Sequence, residues 1–134
     1  MSTETETLLE RLRRIEAGLT GVQERIDGID AQLADLQSQG VFLDPDGQPV
    51  VPGWSERTEN GRHVAWILVW PTAYSEATGA KRRQYVNKRD LDGMRATTER
   101  TQSYEALIQE RDTLSTILRN IDYDLLHIIR RRNW

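Results

Sequence analysis

The sequence predicts an α+β fold, mainly α: an antiparallel coiled-coil helical hairpin carrying a small three- to four-stranded antiparallel β insert at one end. Two observations predict it. Apolar residues step by four and three through both the first and the last third of the 134-residue chain. All four prolines and three of the four tryptophans fall between those thirds. The chain therefore reads as an N-terminal heptad helix over 1–40, a β insert over 41–88 and a C-terminal heptad helix over 89–134, in one structural unit.

The first helix has the clearest pattern. Leu8, Leu12, Ile15, Leu19, Val22, Ile26, Ile29, Leu33 and Leu36 form an unbroken seam, about 42 Å long at 1.5 Å per residue. Glu16, Arg25 and Asp30 flank it, where interhelical ion pairs form. Thr7 is placed to cap the start with Glu10 three residues on, and Gly40 to stop the end. Gly18, Gly21 and Gly28 lie inside, each costing about 1 kcal/mol relative to alanine. Two readings fit them: defects offset by the seam, or close approach of a second helix.

The last third reads as a helix from about Arg89 to Arg131. Leu107, Arg111, Leu114, Leu118, Ile121, Leu125 and Ile128 repeat the four-three step, with Arg111 the polar intruder. The stretch from Asp92 to Ser103 is weaker, with Met94, Thr97 and Thr101 at inward positions. Folding back on the first helix sets Leu8 near Leu125 and Leu36 near Thr97. Ile108, Ile117, Leu126 and Ile129 widen the apolar stripe, which a bundle covers better than a lone pair. A homodimer closing a four-helix bundle through these residues is the expectation.

In the insert, Asp44-Pro45-Asp46-Gly47 reads as a tight turn between Val41–Leu43 and Val50-Val51, with Pro49 and Pro52 confining the second segment to an edge. Asn60-Gly61 marks a two-residue hairpin joining strands 54–59 and 62–70. A third strand follows at 82–87, after a loop over 71–80. Uninterrupted pairing from Asn60-Gly61 sets Glu59 opposite Arg62, Arg57 opposite Val64 and Ser55 opposite Trp66. One face then carries Arg57, Val64, Trp66, Leu68 and Trp70, the other Trp54, Ala65, Ile67 and Val69. Helix ends cover the Trp54/Ile67 face in this reading. Trp66 and Trp70 are then either an exposed binding face or buried under the folded-over loop.

Composition narrows the chemistry. Eighteen basic and 21 acidic side chains give a net charge of −3, which excludes indiscriminate, histone-like binding of nucleic acid. No cysteine is present, so a disulfide scaffold, a thiolate metal site and a cysteine nucleophile are excluded. His63 and His127 are far apart in sequence and have no evident partner. The Asp44–Gly47 turn lacks the later ligands of a calcium loop, and Gly79-Ala80-Lys81 lacks the rest of a phosphate-binding loop. No enzyme activity, metal, cofactor or small-molecule substrate is expected. The polar, acidic start and a longest apolar run of seven residues, Val64–Trp70, against the ~20 of a spanning helix, predict a soluble cytoplasmic protein without membrane contact.

Charge is uneven. Residues 1–40 hold 4 basic and 8 acidic side chains, 41–90 hold 7 and 6, and 91–134 hold 7 and 7. Lys81, Arg82, Arg83, Lys88 and Arg89 lie in one short stretch around the third strand, and Arg130-Arg131-Arg132 form a second cluster. Cations beside Trp66, Trp70 and Tyr85 suit backbone phosphates and unstacked bases; the same cations also protect a strand edge from aggregation.

Gly53-Trp54, Asn60-Gly61-Arg62-His63-Val64-Ala65-Trp66 and Gly79-Ala80-Lys81-Arg82-Arg83-Gln84-Tyr85-Val86 together resemble the three-stranded sheets of small prokaryotic mobile-element proteins, such as recombinase arm-binding domains. The resemblance covers about 35 residues and implies DNA contact through the basic strand. The long flanking helices and the acidic balance depart from that pattern. The expected function is a non-enzymatic oligomeric interaction protein whose insert contacts DNA rather than RNA, as an accessory protein of a mobile element would. The alternative is an adaptor or assembly component that docks a helical protein partner and touches no nucleic acid.

Overall fold

The computed structural model describes residues 7–132, with side chains through Leu125. The fold is α+β and mainly helical. Elements run α1 (Leu8–Gln39), β1 (Gly53–Glu59), β2 (Arg62–Val69), α2 (Thr72–Thr78), β3 (Arg83–Val86) and α3 (Leu91–Arg132). The three strands form one antiparallel sheet in the order β1-β2-β3. Among the described residues no helix is long and apolar enough to cross a membrane.

Local chemistry sets the ends of α1 as the sequence predicts. The Thr7 hydroxyl accepts from the Glu10 amide at 3.2 Å, and the Thr7 amide donates to the Glu10 carboxylate at 3.3 Å. This reciprocal capping box satisfies two amides that the first turn leaves without partners. Gly40, at φ 110°, closes the helix, its amide donating to Leu36. That backbone angle is strained for any side chain, so glycine is the natural stop.

The chain divides into two compact units. One combines Met1–Gln32 with Leu107–Trp134, and the other is Leu33–Ala106. In the first, Ile26 and Ile29 are buried, and the other seam residues of α1 within it are half-buried except Leu12. Arg25 donates through Nε and Nη2 to the two Glu110 oxygens at 2.7 and 2.9 Å. Arg111 donates to Asp30 at 2.6 Å through Nε. Two of the three flanking residues thus carry ion pairs, and the polar intruder in the α3 seam has its counter-charge. A Cβ on Gly18, Gly21 or Gly28 would meet nothing within 4 Å. The close-approach reading of these glycines does not hold within the chain, because that side of α1 is open.

Leu33–Ala106 has an aromatic core: Val50, Leu68 and Trp70 buried, with Phe42, Trp54, Tyr74 and Val86 packed against them. The Asp44–Gly47 turn forms as predicted. The Asp44 carboxylate accepts from the Asp46 and Gln48 amides, both at 2.9 Å. The flanking segments pair through a single bridge, Leu43↔Pro49, since a proline cannot donate to a ladder. They add no fourth strand to the sheet.

Three features of the fold follow from packing, and the first and last depart from expectation. The span 71–80, read as a loop, contains α2, which begins after Pro71 and ends at Gly79 with φ 74°. A seven-residue helix is too short to show periodicity in sequence. The weak stretch of α3 is weak because its inward threonines bond instead of packing apolar surface. Thr98 and Thr101 are buried, and their hydroxyls donate to Met94 and Thr97 carbonyls. The Thr98 hydroxyl oxygen in turn accepts from Trp54 Nε1 at 3.2 Å, and that of Thr101 from the Phe42 amide at 3.0 Å. Arg100 adds a 2.8 Å hydrogen bond to the Gly40 carbonyl. The third feature is in strand register. Pairing starts as expected at Glu59↔Arg62 and Thr58↔His63, then shifts to Arg57↔Ala65, Ser55↔Ile67 and Trp54↔Leu68. Val64 is the extra residue of a β-bulge.

Candidate nucleic-acid interface

The bulge decides which side chains share a face. With Arg57 opposite Ala65 and Tyr85 opposite Ile67, one face carries Arg57, Ala65, Ile67, Val69, Arg83 and Tyr85. The other carries Trp54, Glu56, Trp66, Leu68, Trp70 and Val86. Arg57 and Trp54 have therefore exchanged the faces that uninterrupted pairing assigns them.

Of the predicted contact residues, six are exposed: Lys81, Arg82, Arg83, Tyr85, Lys88 and Arg89. Arg82 is held to the end of β2, its carbonyl accepting from the Trp70 amide at 2.7 Å and its Nε donating to the Trp70 carbonyl at 3.3 Å. Lys88 and Arg89 lie in the turn after β3, where the Asp90 amide returns to the Asn87 carbonyl at 2.9 Å. Cations thus bracket β3, about 17 Å from Arg83 to Lys88 at ~3.4 Å per residue if fully extended. The aromatic Tyr85, 62% exposed, stands between them.

Arg57 completes this face. Its Nη1 donates to the Tyr85 phenol oxygen at 3.1 Å, and its Nη2 lies 3.0 Å from the Glu59 carboxylate. The bond to Tyr85, with lesser help from the Glu59 charge, raises the guanidinium pKa above its ordinary value. A phenol held by a fixed cation loses less rotamer freedom on stacking than a free one. Nothing local in the sequence marks Arg57, because its side of the sheet depends on the bulge at Val64, two residues into the partner strand β2.

The tryptophans play other parts. Trp70 is 5% exposed, edge-on to Phe42 at 5.0 Å and tilted against Tyr74 of α2 at 4.6 Å. Of the two readings of this residue, burial by the folded-over segment is the one the structure supports. Trp70 cannot stack on a base. Its indole N–H makes no hydrogen bond among the described residues. That costs about 1–3 kcal/mol, less than the roughly 5 kcal/mol from burying ~200 Å² of ring. Trp66 is half-buried. The Arg95 guanidinium of α3 sits 4.5 Å over its ring and 5.7 Å over Trp54, and the His63 ring tilts against it at 5.2 Å. Helix α3 therefore meets the Trp54/Trp66 face, not a Trp54/Ile67 face. Arg95 is a second cation missed in sequence, although it lies three residues before Thr98 on the same helical stripe.

Where β3 ends at Val86, β2 continues for Arg62–Ala65 without that neighbour. The gap is a cleft of about 620 Å³ lined by β2 residues His63–Trp66, by Tyr85–Lys88 and by Leu91. His63, for which the sequence shows no evident partner, is exposed, and its Nδ1 lies 2.9 Å from Glu56.

Of the predicted oligomer residues, Ile108 is half-buried and Ile117 is 41% exposed. Nine residues of continuous helix are 2.5 turns, so these two lie on opposite sides of α3. The side chains of Leu126, His127, Ile129 and Arg130–Arg132 lie outside the described residues.

No family model, curated protein or solved structure matches the chain.

Proposed function

We propose that this protein is a non-enzymatic, coiled-coil interaction protein whose sheet contacts nucleic acid, DNA in preference to RNA. One observation carries the reading: five exposed cations bracket a strand whose exposed tyrosine is anchored by a sixth, Arg57. Edge protection alone would need the charges but not an oriented aromatic ring among them. Lys81, Arg82, Arg83, Lys88 and Arg89 contact phosphates in this reading, and Tyr85 contacts a base.

The test is fluorescence anisotropy with a labelled DNA fragment across a salt series. If five phosphates are neutralised, affinity falls by about 10²- to 10³-fold between 50 and 200 mM salt. The double charge reversal Arg82→Glu/Arg83→Glu abolishes the interaction and leaves the circular dichroism spectrum unchanged. Absence of any shift at 50 mM salt refutes the reading.

The helices are proposed to pair as an antiparallel coiled-coil hairpin and to dimerise. Support comes from the Arg25–Glu110 and Asp30–Arg111 ion pairs beside the seam and from the exposed Ile117 and Leu9, apolar surface that a second copy would cover. Light scattering at micromolar concentration is expected to give twice 15.5 kDa; a clean monomer refutes dimerisation.

A further inference from the structure

Resting on that nucleic-acid reading, we infer that the cleft beyond the end of β3 receives an unpaired base, so that the interface takes single-stranded nucleic acid in preference to duplex. Four observations place a base there. The cleft, about 620 Å³, falls within the range of small-ligand sites. Its lining includes Tyr85, 62% exposed, and Val64, the extra residue of the bulge, 48% exposed. These are apolar surfaces on which a base face can rest. Asn87 lines the same cleft, and its amide supplies both a donor and an acceptor for a base edge. Lys88 lies at the lining with Arg89 next to it, while Arg83 and Arg82 stand at the other end of β3. A backbone threading from one cationic group to the other carries its bases past Tyr85.

An aromatic platform within a cationic track is the arrangement by which proteins hold single strands, whereas a base inside a duplex stack does not present its ring face. The unpaired stretch of β2 also invites a strand from another protein. The bulge at Val64 opposes that occupant, because an extra residue breaks the regular ladder that an added strand requires.

The experiment uses the full chain and two fluorescein-labelled probes at 50 mM salt, a mixed-sequence 20-nucleotide DNA strand and the same strand annealed to its complement. The single strand is expected to bind at least about fivefold more tightly, as one stacked base provides. Tyr85→Ala is expected to weaken single-strand binding about tenfold while changing duplex binding less than about twofold, and Tyr85→Phe to retain the preference. Melting curves of both variants confirm that they fold. Equal or tighter duplex binding overturns the inference, as does a Tyr85→Ala loss shared equally by both probes. In either case, binding that Arg82→Glu/Arg83→Glu abolishes would leave the broader nucleic-acid reading standing. Failure of both probes to bind overturns both.

Discussion

The seam of α1 and the pairing of β1 respond in opposite ways to a single residue. In α1 each residue turns about 100°, and nine positions agree on which side faces inward. The structure buries or half-buries eight of them, leaving Leu12 the exception. In β1 the side chains alternate, so one extra residue on the partner reverses every later assignment. Val64 is that residue, and it moves Arg57 onto the face of Tyr85 and Trp54 onto that of Leu68. A helix repeats its information along its length; a strand takes its face from a count that one bulge resets.

The same contrast orders the energetics. Leu68 is wholly buried in the small aromatic core. Leu68→Ala is expected to destabilise Leu33–Ala106 by about 2–5 kcal/mol, read as a lower urea midpoint and loss of near-ultraviolet tryptophan signal. A cost below about 1 kcal/mol would mean that this core is less closely packed than the helical seam.

A smaller effect of opposite sign tests the open side of α1. Gly18→Ala, Gly21→Ala and Gly28→Ala add a methyl group that meets nothing within 4 Å. Each is expected to stabilise by roughly 0.5–1 kcal/mol through helix propensity, measurable as a higher melting temperature. Destabilisation by any of them, at concentrations where light scattering shows a dimer, would place a second copy against that side.

The smallest effect concerns the ion pairs beside the seam. The hydrogen bond from Arg25, assisted by its charge, holds the Glu110 carboxyl below its usual pKa. A carboxylate whose folded pKa is depressed contributes stability above its unfolded value, about 4.3, and loses it as pH falls through the folded value. The stability of wild type and Glu110→Gln is therefore expected to differ slightly at pH 7 and to converge as pH falls from the unfolded value through the lower folded one. Both groups are largely exposed, so added salt should narrow the difference at neutral pH as well.

By itself, the sequence determined the two long helices, the capping box at Thr7, the stop at Gly40, the Asp44 and Asn60 turns and the three strands. Each depends on short-range geometry: helical period, side-chain reach to a nearby amide, or a backbone angle that glycine adopts freely. It also marked the cations around β3, since charge in a short segment survives any register. Tertiary structure decided how those cations are grouped. Trp70, adjacent in sequence to exposed Pro71, is buried because Phe42 and Tyr74 close over it. Trp66 lies under Arg95 because buried Thr98, one helical turn on, holds Trp54 against α3. Arg57 joins Tyr85 only because the strand bulges at Val64. Which side chains meet across strands depends on the long-range register of the backbone, and a linear pattern does not encode where one residue is left unpaired.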